Sequence, residues 1–383
     1  MAAVTVTEVL RRFLPEFLRE RPALSQAQRR AIFAINHCRT PVMGGHLHAC
    51  GECGAREFAY HSCNHRSCPQ CGRGATFQWV ERELGKRVGA PYFMVTFTLP
   101  EELRRLFFSP AAKEVYQLFF AAASEALTDA LASPRWLGAE SSGFTMVLHT
   151  WNQRLHFHPH LHCIVPGAGL DSNGRIVLVK NENFLVPQPV LRTAFRATFR
   201  ERLTALSASG TLLPAVPDAL WEKDWGVHLQ AFGSGERAIQ YLGAYVCRTA
   251  IGDSRIVGIN GDNVTFRWKD RANGGAPRTE TLPGVDFVRR YLRHVLPRGM
   301  KAIRSYGFCH PAAKAKRERI ARHTLVPPPA APVEKPAAPA RPCPCCGQPM
   351  IRLLPVPPAW RQPFSALSAR PPPVAATSVR SCT

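Results

Sequence analysis

The residues that most constrain the fold are His158-Pro-His-Leu-His162. Imidazoles alternate with Leu161, and a period of two belongs to a β-strand with one packed face and one open face. His160 and His162 then share a face, and Leu161 anchors the opposite one in a core. His156 and His158 extend the alternation. Pro159 lacks an N–H, so regular ladder pairing is expected only after it. Further along, Tyr241-Leu-Gly-Ala-Tyr245 sets two phenols four apart, on one face if the segment is helical. Ser234, in Gly233-Ser-Gly235, is placed to cap that helix.

Two neutral imidazoles make a partial site for a divalent cation, and Mg²⁺ or Mn²⁺ needs a further protein ligand. Gln153 is the nearest upstream oxygen donor and is taken as the third ligand, with His228 and Gln240 as alternatives. A tyrosine can form a covalent intermediate, but its unperturbed pKa of about 10 calls for nearby positive charge if it is to attack at neutral pH. Arg237 and Arg248 are candidates. The two motifs together point to metal-assisted attack of Tyr241 or Tyr245 on a phosphodiester. Each motif also has an ordinary reading, as edge-strand histidines and as an aromatic face packed on a sheet.

Charge agrees with a phosphodiester partner. Lys and Arg number 49 against 27 Asp and Glu, a net charge of +22, which favours a polyanion and salt-dependent binding. No apolar run reaches the roughly 18 to 20 residues of a membrane span, and no basic-then-apolar leader follows Met1. A cytoplasmic protein with no membrane partner is expected, and its 13 cysteines are expected as metal ligands or thiols. Cys50-Gly-Glu-Cys53 and Cys68-Pro-Gln-Cys71 are spaced like the knuckles of a zinc ribbon and are expected to share one structural Zn²⁺. Cys63, His46, His48 and His65 lie in the same span and are open to replacing a ligand or completing a second site. Cys343-Pro-Cys-Cys346-Gly is a lone half-knuckle.

Composition and periodicity divide the chain into a basic arm of two short helices (1–45), a zinc-binding segment (46–90), an α+β domain (91–325) and a Pro-rich unpacked tail (326–383). Pro15 and Pro22 are expected to break the arm. In the third segment, strands are expected at 92–99, 143–150, 160–165, 175–179, 225–230, 255–259 and 264–269. Helices are expected at 101–131, 191–206 and 285–295. Trp151, Phe157, Trp225 and Tyr291 are candidates for stacking on bases, each equally at home in a core.

The order of motifs resembles a known family. A cysteine cluster ending Ser-Cys-Asn-His-Arg-Ser-Cys-Pro-Gln-Cys is followed by Val-Thr-Phe-Thr-Leu-Pro, by His-Pro-His-Leu-His-Cys-Ile-Val-Pro-Gly and by Tyr-Leu-Gly-Ala-Tyr. Phe-Val-Arg-Arg-Tyr-Leu-Arg-His-Val-Leu-Pro-Arg-Gly and Ile-Arg-Ser-Tyr-Gly-Phe complete the series. The chain resembles the bacterial rolling-circle HUH transposases of the IS91 insertion-sequence family, from about residue 8 to about 325.

The resemblance implies an N-terminal zinc-ribbon-like domain and an HUH nuclease domain, an antiparallel sheet flanked by helices. It implies a metal-dependent endonuclease acting on single-stranded DNA at transposon ends and target, through a 5′-phosphotyrosine link that leaves a 3′-hydroxyl. His160 and His162 match the metal histidines, Tyr241 and Tyr245 the tyrosine helix, and Cys50, Cys53, Cys68 and Cys71 the zinc cluster, with Cys63 in the pattern. Ser67 stands where a histidine is expected, and Cys247 where relatives often carry a polar residue. Related readings are a replication initiator or relaxase of the same chemistry, or a zinc-dependent DNA-binding protein with an inert nuclease site.

Overall fold

The computed structural model describes residues 4–246, 249–270, 273–325 and 340–358. The chain forms two compact units, one of residues 1–28 with 72–329 and one of 29–71 with 330–383.

The first unit is α+β and is organised around a five-stranded sheet. Its strands run in the order Ile303–Gly307, Gly143–Trp151, Phe157–Pro166, Tyr92–Thr98 and Gly226–Gly233, every neighbouring pair antiparallel. The histidine strand is central. Leu161, Cys163 and Val165 point to one face and pack with Phe93, Val95 and Phe97. Helices Ala112–Ala132 and Gln188–Ala208 cover that face, with Phe119, Phe195 and Phe199 buried against it. Burying each such aromatic side chain contributes roughly 1.5–3 kcal/mol. On the other face Met94, Val147 and Ile164 are covered by helices Gly72–Leu84 and Gly235–Val246, through Trp79, Ala238, Ile239 and Leu242.

Several local features differ from expectation for identifiable reasons. Helix Val6–Arg19 runs through Pro15, whose side faces solvent, so the carbonyl left without an N–H partner can be hydrated. A capping box of Thr5 and Glu8 starts this helix, and the chain leaves it at Arg21, with φ of 51°. Pro159 lies inside the histidine strand. It falls beyond the last pair with Tyr92–Thr98 and beside an irregularity in the pairing with Gly143–Trp151, so no regular ladder bond is lost. Ile176–Leu178 pairs with Ala168–Leu170 rather than joining the main sheet. Ile256–Asn260, Asn263–Asp270 and Ala276–Pro283 make a separate three-stranded sheet. The last of these strands is exposed at most positions and carries no alternation to read.

The second unit holds Gly45–Cys50 between Arg56–Tyr60 and Met350–Val356. The expectation of an unpacked tail is therefore corrected for residues 340–358, which form a turn and a paired strand; 326–339 and 359–383 lie outside the described residues. Helix Gly72–Leu84, expected with the zinc-binding segment, belongs to the first unit. Among the described residues no helix is long and apolar enough to cross a membrane.

Gly243 explains one letter of the tyrosine motif. A Cβ there would lie 2.1 Å from Cγ2 of Val80, so the two helices approach as closely as they do only with glycine at this position. Gly243→Val is expected to destabilise the protein by about 1–3 kcal/mol, read as a lower Tm, and Val80→Ala in the same chain should restore much of the loss. An unchanged Tm for the single variant would mean that the helix pair yields without strain.

Candidate active site

The uncovered end of the second sheet face carries the histidines. In the hairpin ladder His149 stands directly opposite His160, and Val147 opposite His162. Three imidazoles therefore converge. Ring centroids are 5.3 Å apart for His149 and His160, 4.8 Å for His149 and His162, and 4.9 Å for His160 and His162. One ring nitrogen from each lies within 4.8 Å of the others, close enough to share one cation. The donor set suits a divalent metal, and the surroundings orient it. Nδ1 of His160 is 2.8 Å from the carbonyl oxygen of His158. That oxygen only accepts, so Nδ1 carries the proton and Nε2 keeps its lone pair for a ligand. Nδ1 of His162 pairs with Oγ1 of Thr96 at 3.1 Å.

His149 was not singled out from the sequence; Gln153 was. Register brings His149 to the pair. Gln153 sits in the turn beyond the strand, where its backbone carbonyl accepts from the Arg255 guanidinium, and it lines the same cavity. Folding 143–150 back on 160–165 as a hairpin centred near residue 154 would have placed His149 against His160, so the signal was present. Of the other two alternatives, His228 lines the same cavity from the strand beyond Tyr92–Thr98, where it stands opposite Thr96, and Gln240 donates to Glu236.

Tyr241 reaches the same cavity, of about 540 Å³, which the three histidines, Arg255 and Trp268 also line. Its helix starts as expected, with Ser234 Oγ accepting from the Arg237 amide at 3.4 Å. Ala238, Ile239 and Leu242 bury one side of that helix on the sheet, which turns Tyr241 outward, 39% exposed, with its ring on Phe232. Tyr245 falls on the same helix, and its side chain lies outside the described residues, as does Arg248. Arg237 is exposed and does not line the cavity; Arg154, Arg255 and Lys269 supply its positive charge. Arg154 lies over the Trp268 ring, 5.4 Å from its centroid, and pairs with Glu280, which also binds Arg290. Burial pushes the Glu280 carboxyl up, but the hydrogen bonds from Arg154 and Arg290 outweigh it and hold the group below its ordinary value. Of the stacking candidates Trp151 lines the cavity, whereas Phe157, Trp225 and Tyr291 are buried.

The cysteines separate into two quartets rather than the expected one. Cys68 and Cys71 converge with Cys38 and Cys63; Cys50 and Cys53 converge with Cys343 and Cys346. The correction has a geometric cause. Cys50 and Cys53 flank the turn that ends Gly45–Cys50, the strand that pairs with Met350–Val356, while Cys68 and Cys71 lie in a turn beside Cys38, at the end of helix Gln26–His37. Sγ of Cys71 is 3.5 Å from that of Cys38 and 3.6 Å from that of Cys63. Cys38 had not been singled out, because it has no close cysteine neighbour in sequence. His46, His48 and His65 join neither quartet.

Residues 9–99 match a family model described as "Transposase zinc-binding domain", and residues 143–318 one described as "Putative transposase". A protein of Sinorhizobium fredii named "Putative transposase y4qJ" is 39% identical over 318 residues, 79% of each chain. The "Transposase for insertion sequence element IS801" of Pseudomonas savastanoi pv. phaseolicola is 30% identical over 288 residues, 71% of this chain and 67% of its own. The chain belongs to the IS91 family of transposases. Its N-terminal part is a zinc-binding domain, and the quartet of Cys38, Cys63, Cys68 and Cys71 lies wholly within the matched span. Among solved structures, the conjugative relaxase TrwC in complex with oriT DNA aligns over 60% of this chain and 71% of its own, at 14% identity and a TM-score of 0.25, too distant to carry an argument.

In this transposase the turn between the two histidine strands is held by His294, which follows helix Gly284–Leu292. Its Nε2 donates to the Leu155 carbonyl at 3.2 Å, and its Nδ1 pairs with Thr150 Oγ1 at 3.2 Å. The ring stacks on Phe157. Burial pushes the imidazole down to about 4. The folded state thus keeps His294 neutral while the unfolded chain protonates near 6.5, so its contribution is complete above pH 6.5 and is lost as pH falls toward about 4. His294→Gln is expected to lower the Tm at pH 7.5, with the difference from wild type narrowing steadily down to pH 4.5. A constant difference across that range would rule out titration of this ring.

Proposed function

We propose that this transposase nicks and rejoins single-stranded DNA through a 5′-phosphotyrosine intermediate, in a rolling-circle type of transposition. The observation that carries the reading is that Tyr241 and three convergent imidazoles line one cavity edged by arginines and two tryptophans. His149, His160 and His162 would hold Mg²⁺ or Mn²⁺, which when bound would draw charge from the scissile phosphate and ease formation of the transition state. Phosphate oxygens and water would supply the remaining ligands, as such cations require.

Tyr241 acts as the nucleophile. Its phenol oxygen bonds to phosphorus and gives up its proton, the bond from phosphorus to the 3′ oxygen breaks, and that oxygen takes up one proton to leave as a 3′-hydroxyl, so the step is proton-neutral overall. The diester is conserved as a tyrosyl ester, so the reverse attack by another 3′-hydroxyl rejoins a strand without ATP. Arg154, Arg255 and Lys269 bind the backbone, and Trp151 and Trp268 offer rings to unpaired bases, as single-strand binding requires. Tyr245, one helical turn from Tyr241, serves as the second nucleophile for a second strand. The HUH name describes two histidines around a hydrophobic residue, here His160 and His162 flanking Leu161.

The decisive assay incubates the purified protein with labelled single strands from both flanks of its own element and Mg²⁺ or Mn²⁺, then looks for a denaturant-resistant adduct. Wild type is expected to form one and Tyr241→Phe to form none in the first cleavage. Tight binding without any adduct, in all metals, would instead indicate a zinc-dependent DNA-binding protein with an inert site. The metal assignment is tested by Mn²⁺ titration. His149→Ala should weaken binding by more than the roughly 10- to 100-fold seen when a supporting residue is lost, and Gln153→Ala by less. The opposite ranking would return Gln153 to the third position.

A further inference from the structure

The half-knuckle Cys343-Pro-Cys-Cys346-Gly lies outside both family matches, which end at residue 318. It has a twin. In Cys50-Gly-Glu-Cys53-Gly the amide of Gly54 donates to the Cys50 carbonyl at 3.1 Å, and the Cys50 amide to the Ala55 carbonyl at 2.9 Å. In the C-terminal turn the amide of Gly347 donates to the Cys343 carbonyl at 2.9 Å, and the Cys343 amide to the Gln348 carbonyl at 2.7 Å. Gly54 and Gly347 both take left-handed backbone, with φ of 71° and 76°. In both turns backbone amides also point at the first sulfur: those of Glu52 and Cys53 at Cys50, and that of Cys345 at Cys343. Two turns built alike, each presenting two thiols, are the halves of a tetrathiolate site.

The sulfur positions agree. Sγ of Cys50 is 3.5 Å from that of Cys346, and Sγ of Cys53 is 3.6 Å from those of Cys343 and Cys346. Zinc–sulfur bonds of about 2.3 Å in a tetrahedron set sulfurs roughly 3.8 Å apart, whereas a disulfide would require about 2.05 Å. Neighbouring structure holds the two turns together. Met350 pairs with Cys50 in the ladder between Met350–Val356 and Gly45–Cys50, and Arg341 forms an ion pair with Glu57. Cys50 and Cys343 are buried, with Met350 and Ala55 against them.

We propose that Cys50, Cys53, Cys343 and Cys346 bind a second structural Zn²⁺, forming a zinc ribbon whose two knuckles lie at opposite ends of the chain. The residues from 72 to 329 are then an insertion between the halves of one metal site, and the C-terminal strand is held by metal as well as by its ladder. The assignment is independent of the nuclease reading.

The test is zinc content by elemental mass spectrometry on the full-length protein. Wild type is expected to hold about two Zn²⁺ per chain. Cys343→Ser with Cys346→Ser, Cys50→Ser with Cys53→Ser, and the four changes combined should each hold about one, because all empty the same site. Unchanged zinc content in the Cys343/Cys346 variant would overturn the proposal. Should the variants misfold, thiol alkylation of the wild-type protein decides the matter. Cys50, Cys53, Cys343 and Cys346 should be protected together and become reactive together when a chelator is added, with exposed Cys345 as the internal reference. Alkylation of Cys343 and Cys346 at the rate of Cys345 before chelation would overturn it equally.

Discussion

The site depends on one strand register, His149 opposite His160. Side chains on a strand alternate, so a slip of one residue in the Phe157–Pro166 strand would turn the imidazoles into the aromatic core and bring Leu161 and Cys163 to the cavity. The hydrophobic layer forbids that slip, because Leu161, Cys163 and Val165 are buried completely. The turn forbids it as well. Asn152 Oδ1 accepts from the amides of Arg154 and His156, each at 2.9 Å, and Leu155 takes φ of 60° with its side chain fully buried. A non-glycine residue in left-handed backbone costs about 1 kcal/mol or more, offset here by burial of the leucine side chain. Core packing thus sets the face on which the histidines lie, and the turn sets which residue of the neighbouring strand meets them.

The tyrosine reaches this face through a separate constraint. A helix laid across a sheet covers what it touches, so a helix that presents a nucleophile must pack at one end of the face and leave the other open. Small residues make that possible. Ala238 and Gly243 allow close approach on both sides of the tyrosine helix, and Gly235 accommodates the Tyr92 ring, where a Cβ would lie 2.6 Å from it. Tyr241 is then carried at the boundary between covered and open sheet. Its position is a consequence of backbone proximity, with Phe232 as its ring neighbour.

Much of this was legible in the sequence wherever the signal was local. The alternation around Leu161, the β-branched run at 92–99 and the Ser234 cap each depend on neighbours a few residues away, and each appears where expected. What was missed depends on partners distant in sequence. His149 becomes a partner of His160 only through the hairpin register, and Cys38 becomes a partner of Cys71 only through the turn at 63–71. Strand Ala276–Pro283 gave no signal because it is polar and mostly exposed, and its hydrogen-bonding groups are satisfied by a partner strand that its own composition does not announce. The two CxxC pairs were assigned to each other by spacing alone, and spacing cannot see a third pair almost 300 residues away.

That third pair bears on why the smaller unit folds at all. Among the described residues, the buried cluster around Cys50 consists of Cys50, Cys343 and Met350, with Ala55 against it. Burial on that scale falls far short of the entropy lost in ordering the strands and turns around it, at roughly 1–2 kcal/mol for each backbone position. Strand pairing orients the chain but does not close that gap, since a small exposed sheet is marginal in water. Tetrathiolate metal sites supply the missing free energy in domains of this kind, because the ligands converge only in the folded state and metal binding is therefore folding energy. The same reasoning explains the polar exterior of the unit: with sulfur and metal in place of a hydrophobic centre, its strands are free to carry exposed Arg56 and Arg352.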